Sequence, residues 1–449
     1  MDERDEKVEQ IASMLAKKEY AALRQMLDEL QPVDVAILLG EMPQETLPVL
    51  FRLLNKDSAA ETFVEMESDE QELLLHSFSD AELREVLDEL YLDDTVDIIE
   101  EMPANVVTRI LQNSTADMRK AINAVLQYPA DSAGSIMTIE FVRLNADMTV
   151  EDAFKRIRRT GVDKETIYTC YVTDKNRKLL GVVTAKTLLL SDMDDAISNI
   201  METNIISVGT HDDKEDVARV FDKYGFLAVP VVDGENRLVG IVTVDDAMDI
   251  IQEETTEDFA KMAAISASDD EYFKTPVWKH AKNRFLWLLI LMLSATATGY
   301  ILEAYETAFA ALPLLVTFIP MIMGTGGNCG AQSATMIIRG LALEEITPSD
   351  FLRAWFKEAR IALMVGIGLA VVNFFRVWLL GGEPVFGVIT GLTLIGTALL
   401  AKSLGCILPM LAKKLRLDPA IMASPLITTI VDACSMVLYF SIAVHVLGL

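Results

Sequence analysis

Two residue types that carry much of protein chemistry are scarce in this chain. Its 449 residues include only four cysteines and four histidines. No Cys or His spacing matches a zinc motif or a disulfide framework. A hydrolase would need a nucleophile–base pair or a metal motif, which the scattered histidines do not supply. We therefore expect that the protein is not an enzyme and that its cysteines are packing residues.

Basic residues are also few, because 39 Lys and Arg stand against 67 Asp and Glu and the net charge is −28. Nucleic acids bind basic surfaces, so a nucleic-acid partner is excluded. Residues 1–272 hold 26 basic and 58 acidic residues, whereas residues 273–449 hold 13 and 9. The chain therefore divides into an acidic soluble half, suited to cation binding or simply to solubility, and an apolar membrane half.

Residues 1–130 have apolar positions at three- and four-residue spacing, which predicts helices throughout. An internal repeat also occurs in this region. The run Leu27-Asp-Glu-Leu30, followed by Asp34 and Glu41-Met-Pro43, returns as Leu87-Asp-Glu-Leu90, followed by Asp94 and Glu101-Met-Pro103. A short helix pair cannot bury its own apolar face, so neighbouring repeats must stack. The sequence predicts an all-α helical superhelix.

Residues 131–245 change to strand–helix alternation and contain a second duplication. Val172-Thr-Asp174 and Leu180-Gly-Val-Val-Thr184 return as Val231-Val-Asp233 and Val239-Gly-Ile-Val-Thr243. This ordered duplication resembles a tandem pair of α+β CBS domains. The resemblance implies a regulatory module that binds an adenine nucleotide such as ATP, with Thr243 and Asp246 on the ribose. The first copy has Thr184 and Thr187 at the matching positions, so one cleft keeps the acid.

Residues 246–274 predict a long connecting helix that ends near Lys274, just before the membrane half. Asp246, Asp249, Glu253 and Glu257 recur every three or four residues and so share one face. Four like charges on a stripe repel one another. The stripe is either a solvated face or a face that divalent cations neutralise, since carboxylate oxygens suit hard cations.

Residues 275–449 predict a membrane domain with five helical spans, at 284–304, 309–338, 354–380, 385–411 and 421–447. Loops rich in Lys and Arg alternate with loops that have none, as five spans require. The chain begins with an acidic run where a secretory signal would have a basic region and an apolar core. We expect a multi-pass protein of the cell membrane, with a cytoplasmic N-terminus and an extracytoplasmic C-terminus.

Two features of the spans point to ion chemistry. Asp432 lies near the middle of the last span, where a charge costs about 3 kcal/mol or more. It either pairs with a buried base such as Lys402 or Arg376, or meets a cation in a pore. The glycine-rich run Gly324-Thr-Gly-Gly-Asn-Cys-Gly330 in the second span indicates close helix packing or an exposed, oxygen-lined backbone. The polar residues Asn328 and Gln332 favour the oxygen-lined path.

The runs Gly326-Gly-Asn-Cys-Gly-Ala-Gln-Ser333 and Pro425-Leu-Ile-Thr-Thr429-Ile-Val-Asp432 resemble the MgtE family of magnesium channels. The order of domains along the whole chain is also similar to that family. The resemblance implies a homodimer in the lipid bilayer, in which Asp432 of both subunits binds hydrated Mg²⁺ on the pore axis. Asn328, Gln332 and Thr428 are the other expected pore residues.

The leading interpretation is a Mg²⁺-selective channel that cytoplasmic Mg²⁺ closes. We expect the regulatory ions at acids of the connecting helix and of the loop before the last span: Asp246, Asp249, Glu253, Glu257, Asp258 and Asp418. A proton- or sodium-coupled transporter would explain Asp432 as a coupling site, but no second carboxylate lies deep in a span, and Glu358 lies near the end of its span. A CBS-containing regulatory membrane protein without transport is the third alternative. Residue types alone do not exclude Mn²⁺, Co²⁺ or Ca²⁺.

Overall fold

A computed structural model gives the fold of the chain. It describes residues 3–162, 164–266, 272–273, 275–306, 313–422 and 424–448. Lys274, where the sequence places the end of the connecting helix, and residues 309–312 of the second predicted span lie outside these ranges. Internal contacts divide the chain into one unit that ends at Ile251 and a second that begins at Gln252.

The first unit begins with a succession of short helices. Helix α3 packs against α5, α5 against α7 and α7 against α9, so alternate helices stack and share one apolar core. This arrangement confirms the predicted helical array. The helices are α1 (Glu3–Ala16), α2 (Tyr20–Asp28), α3 (Pro32–Gly40), α4 (Leu47–Phe51), α5 (Lys56–Val64), α6 (Ser68–Ser77), α7 (Asp80–Leu87), α8 (Leu92–Glu101), α9 (Ala104–Asn113) and α10 (Ala116–Val125).

Two small sheets with the same topology follow and confirm the duplicated α+β domains. In each sheet the first strand runs parallel to the second, and the second pairs antiparallel with the third. The β-branched runs form the buried strands, as their sequence predicts. The elements are β1 (Phe141–Asn145), α11 (Val150–Thr160), β2 (Thr166–Thr173), β3 (Leu179–Thr184), α12 (Ala185–Leu190), α13 (Ile197–Ile200), β4 (Val208–Gly209), α14 (Lys214–Tyr224), β5 (Ala228–Val232) and β6 (Leu238–Thr243).

The connecting helix, α15, spans Val244–Met262, so the prediction that it continues to residue 274 was wrong. Its end has a physical cause. The amide of Ile265 donates to the carbonyl of Ala260 and Ala264 adopts a left-handed φ of 54°. This closing pattern turns the chain away from the helix axis. The connector therefore consists of a helix followed by a turn.

The second unit contains helical segments long and apolar enough to cross a membrane, and among the described residues there are five, as predicted. Short 3₁₀ turns at Pro313–Phe318, Pro348–Asp350 and Pro419–Met422 precede three of the helices. The helices are α16 (Val277–Ala304), α17 (Ile319–Ala342), α18 (Phe351–Leu379), α19 (Pro384–Lys414) and α20 (Ser424–Leu447). The chain is thus a multi-pass membrane protein.

Glycines bring α17 into close contact with α19 and α20. A Cβ added to Gly327 would lie 2.8 Å from the Thr428 methyl group, and one added to Gly405 would lie 2.5 Å from the Gly330 carbonyl oxygen. Helix α17 is continuous from Ile319 to Ala342, so the expected opening of its backbone by glycine was wrong. The small residues serve close helix packing, the alternative that the sequence left open.

We predict that Gly405→Ala destabilises the membrane domain, because the added methyl group meets backbone atoms that cannot move aside. The expected loss is about 1–3 kcal/mol, typical of overpacking. Gly368→Ala is the matched control, since nothing lies within 4 Å of its added Cβ. Thermal unfolding of the purified protein in detergent measures both, and equal melting temperatures for the two variants would contradict the packing argument.

Candidate functional site

Asp432 on α20 is half-buried, and its Oδ1 atom is buried with no hydrogen-bond partner among the described residues. Neither candidate base pairs with it. The Lys402 ammonium lies 3.5 Å from Glu358, and the Arg376 guanidinium contacts the Met321 sulfur. The ion-pair alternative for Asp432 therefore finds no support in the described part of the chain. An uncompensated carboxylate inside an apolar domain is free to interact with a cation.

The other expected pore residues lie on the two helices that meet at the glycines. Asn328 and Gln332 are one turn apart on α17, and both side chains are exposed within the protomer. Thr428 lies one turn before Asp432 on α20, with its methyl group against Gly327. Exposed amides on a membrane helix are unstable against lipid, so this face of α17 requires water or another protein surface.

Two hydroxyl groups lie near the glycine seam, the line of contact that Gly326, Gly327 and Gly330 of α17 make with α19 and α20. Neither hydroxyl was predicted from the sequence as a site residue. Thr397 on α19 and Ser435 on α20 are fully buried, and neither hydroxyl has a hydrogen-bond partner among the described residues. They converge at Gly326, whose added Cβ would lie 2.8 Å from Thr397 Cγ2 and 3.0 Å from Ser435 Oγ. Ser435 follows Asp432 by three residues, a helical spacing that could have identified it.

The second candidate site is a group of carboxylates in the first unit, where Asp246 of α15 faces helix α8. Removal from water, followed by repulsion from Asp246, raises the pKa of both Asp94 and Asp97 to about 7. Asp93 is 6% exposed, and burial raises the pKa of its carboxyl well above the usual value. Burial raises the pKa of Asp246 itself to about 6, although Thr243 partly offsets this by donating a hydrogen bond.

This acidic cluster, defined as Asp93, Asp94, Asp97 and Asp246, extends in two directions. Burial and repulsion from Asp245 raise the pKa of Glu165 to about 8. Burial and repulsion from Asp249 raise the pKa of Glu65. Acids of the predicted regulatory stripe thus face carboxylates contributed by the N-terminal helices and the first CBS domain. These partners are not evident from the sequence, because only the fold brings residues so distant in sequence together.

Glu257 and Asp418, two predicted regulatory residues, come together around a lysine that the sequence analysis missed. The Lys261 ammonium lies 2.8 Å from a carboxylate oxygen of each. Burial disfavours the charged ammonium, but its hydrogen bonds to Asp418 and Glu257 outweigh burial and raise the pKa of Lys261. Glu253, which is exposed, and Asp258, which is half-buried, are the remaining predicted acids on α15.

The helix end next to Lys261 reaches the core of the membrane helices. Met262, the last residue of α15, packs against a buried cluster from α17, α19 and α20. This cluster consists of Cys329, Ala334, Ile338, Ala398, Ala401, Ile427 and Val431. Cys329 neighbours Asn328, and Val431 neighbours Asp432. The end of the connecting helix therefore packs against residues that are next in sequence to those expected to form the pore.

No group of three or more His, Cys, Asp or Glu side chains within the described ranges is arranged to hold a metal ion. Mg²⁺ sheds its water reluctantly and is commonly held through its hydration shell by one or two carboxylates. The acidic cluster and Asp432 supply the hard oxygen atoms that suit such a hydrated ion. The donor set therefore fits Mg²⁺ better than a softer metal.

Comparison with known families matches three segments of the chain. Residues 319–442 match MgtE, described as a divalent cation transporter. Residues 30–131 match the MgtE intracellular N domain, and residues 133–194 and 197–253 each match the CBS domain. Together these matches extend across both the soluble and the membrane regions in the order that the sequence predicts.

Curated relatives match nearly the whole chain. The magnesium transporter MgtE of Thermus thermophilus is 36% identical over 433 residues, which is 96% of this chain and 96% of the relative. The magnesium transporter MgtE of Bacillus subtilis is 33% identical over 439 residues, covering 98% and 97%. A crystal structure of the cytosolic domain of the Mg²⁺ channel MgtE in complex with ATP is 36% identical, with a TM-score of 0.52, and covers 54% of this chain and 99% of that one.

The raised carboxyl pKa values predict that the soluble half loses stability as pH rises in the absence of divalent cations. The folded state retains protons that the unfolded chain has already released, so stability falls between about pH 4, the ordinary carboxyl pKa, and about pH 8. Residues 1–262 in chelator should melt at least about 5 °C lower at pH 8 than at pH 5.

Asp94→Asn should flatten this pH dependence, because it removes one of the titrating groups. Asp117→Asn is the matched control, since the Asp117 side chain is 99% exposed and lies outside the acidic cluster. Equal melting temperatures of the unaltered fragment at the two pH values would show that the cluster does not destabilise the fold.

Proposed function

Because the chain belongs to the MgtE family of magnesium transporters, we propose that it is a Mg²⁺-selective channel closed by cytoplasmic Mg²⁺. The observation that carries the proposal is Asp432, a carboxylate without an ion-pair partner among the described residues of a five-span domain. The alternating basic loops support a cytoplasmic N-terminus and an extracytoplasmic C-terminus. In this orientation the acidic half meets cytoplasmic Mg²⁺.

The proposed pore lies between two copies of the chain. Asn328 and Gln332 are exposed on one face of α17, which a single protomer leaves uncovered. A homodimer would enclose this face, so that amide oxygens and Thr428 orient the water shell of the ion while two Asp432 carboxylates supply charge. This division suits Mg²⁺, which is held through its waters more readily than in a tight protein cage.

The proposed gate is the end of α15. Met262 packs against a buried cluster that includes Cys329 of α17 and Val431 of α20, which neighbour Asn328 and Asp432 in sequence. A displacement of α15 would therefore change the packing of both pore helices directly. Lys261 fastens the same helix end to Asp418, in the loop before α20. A rigid contact of this kind transmits force, whereas a flexible linker would lose it.

Asp93, Asp94, Asp97 and Asp246 are the residues that would attract regulatory Mg²⁺ in the first unit and hold it through its hydration shell, with Asp249 and Glu65 beside them. Bound Mg²⁺ would supply the positive charge that these crowded carboxylates otherwise obtain only by taking up protons. A cation that binds the compact arrangement alone shifts the population toward it by mass action. The raised pKa values favour this explanation of the acidic stripe over simple solvation.

An adenine nucleotide is the second cytoplasmic ligand that we propose, on the basis of the ATP complex of the similar cytosolic domain. The geometry does not favour Thr243 and Asp246 as its ribose contacts. The Thr243 hydroxyl already donates to Asp246 at 2.7 Å, and Asp246 faces Asp93 and Asp94. These carboxylates would repel a triphosphate, and we therefore propose that a nucleotide binds with its phosphates away from the acidic cluster.

Asp432→Asn is expected to reduce Mg²⁺ flux by about tenfold or more, because it removes the charge that binds the ion at nearly constant shape. Flux into liposomes is measured with a Mg²⁺ indicator and repeated with Ca²⁺, Mn²⁺ and Co²⁺ to rank the ions. Glu383→Gln, an exposed acid in a loop of the same domain, is the control. Undiminished flux through correctly folded Asp432→Asn would refute the pore assignment.

Neutralising Asp246, Asp249, Glu253 and Glu257 together should leave the channel open at high internal Mg²⁺, because α15 loses the negative charge that attracts the ion and the Glu257 partner of Lys261. A truncation that begins at residue 275 should conduct without inhibition as well, since it removes Met262. Asp117, Glu151, Asp152 and Asp216 are exposed acids elsewhere, and neutralising these four provides a control of equal charge. If the truncated protein conducts but internal Mg²⁺ still closes it, the sensor lies in the membrane domain.

A further inference from the structure

Three membrane helices meet at a buried pair of opposite charges that the pore and its gate do not use. Lys402 of α19 is 5% exposed and Glu358 of α18 is 8% exposed, with 3.5 Å between the Lys402 ammonium and the Glu358 Oε2 atom. Ser333 of α17 donates a hydrogen bond of 2.9 Å to the same Glu358 oxygen. The Ser333 hydroxyl also lies 3.1 Å from the Lys402 carbonyl oxygen.

A buried lysine in a membrane domain requires a counter-charge. Without one, the ammonium would remain charged in a medium of low dielectric or lose its proton. Glu358 provides the counter-charge, since within the described residues it is the carboxylate in ion-pair contact with Lys402. The Glu358–Lys402 pair thus contributes no net charge to the membrane interior. Asp432 then remains the source of net charge near the glycine seam.

The pair also determines where α17 lies. Ser333 follows Gln332 directly on α17, so the hydrogen bond to Glu358 holds the helix that carries the expected pore amides. One turn beyond Lys402, Gly405 packs against α17 so closely that an added Cβ would lie 2.9 Å from the Ser333 Cβ. A change at Glu358 would therefore affect α17 directly through the Ser333 hydrogen bond and indirectly through Lys402, whose helix packs closely against α17.

We infer that Glu358 is a positioning residue for cation transport, which neutralises the buried Lys402 ammonium and holds the pore helix α17 through Ser333. The inference deepens the proposed function and rests on it for the flux that is measured. Its physical content is specific: loss of Glu358 is harmful because Lys402 remains. Removing both charges together should therefore be less harmful than removing Glu358 alone.

Glu358→Gln tests the first half of this inference in the full-length protein in liposomes. The variant leaves Lys402 without a counter-charge, so its ammonium repels an approaching divalent cation. We expect the Mg²⁺ concentration for half-maximal flux to rise about fourfold or more, with a lower melting temperature. A merely structural defect would reduce the amount of active protein, and hence the maximal flux, without changing the half-saturating concentration.

The double variant Glu358→Gln with Lys402→Met tests the second half. It contains no buried charge at this position, so half-saturation and melting temperature should return toward the values of the unaltered protein. Glu345→Gln is the matched control, because it breaks an ion pair of 3.7 Å with Arg339 in the same domain, in which both side chains are 56% exposed. This control should change neither quantity.

Three outcomes would overturn the inference. The first is a Glu358→Gln protein with unchanged half-saturation and melting temperature. The second is a double variant as impaired as Glu358→Gln, including one that fails to fold, because charge compensation would then not be the role of Glu358. The third is an equal effect of Glu345→Gln. Absence of Mg²⁺ flux in the unaltered protein would instead refute the proposed function, and the melting temperatures would still report on the ion pair.

Discussion

The repulsion and desolvation of carboxylates is the constraint on which the rest of this structure depends. The chain meets it differently at each place where acids lose contact with water. The acidic cluster around Asp246 retains protons, as the raised pKa values of Asp94 and Asp97 indicate. Asp418 and Glu358 are each matched by a lysine of the protein, Lys261 and Lys402 respectively. Asp432 is not paired with a lysine or arginine in the described part of the chain, which leaves it available to a mobile cation.

Close packing gives this distribution of charge a mechanical consequence. Glycines allow α17 to touch α19 and α20 with almost no intervening side chain, so movement of one helix displaces the others. Met262 enters the same packed region from the end of α15. In the proposed mechanism, a charge-dependent shift of α15 would reach the pore helices through contacts between rigid elements. Because a turn follows Met262, the proposed coupling would act at the helix end and would not need a helix that continues to the membrane.

Most of the fold could be predicted from local sequence patterns, because repeats, hydrophobic periodicity and loop charge are properties of neighbouring residues. They predicted the helical array, the duplicated sheets and the five spans. They could not predict contacts between distant residues, such as Asp94 with Asp246 or Lys402 with Glu358. Sequence spacing also misjudged two features. The end of α15 depends on a left-handed conformation at Ala264, which the sequence does not mark with the usual glycine. The glycines of α17 allow close packing without opening the helix.

Glu358 also bears on the choice between a channel and a coupled transporter. Its position near the end of a span argues against a coupling role, yet the structure buries its side chain. A proton- or sodium-coupled mechanism needs a carboxylate that gains and loses its partner during each cycle. Glu358 is held by an ammonium and a hydroxyl at once, so releasing it would expose a buried lysine. Asp432 is then the membrane carboxylate suited to an exchangeable cation, which supports the proposed channel over a coupled transporter.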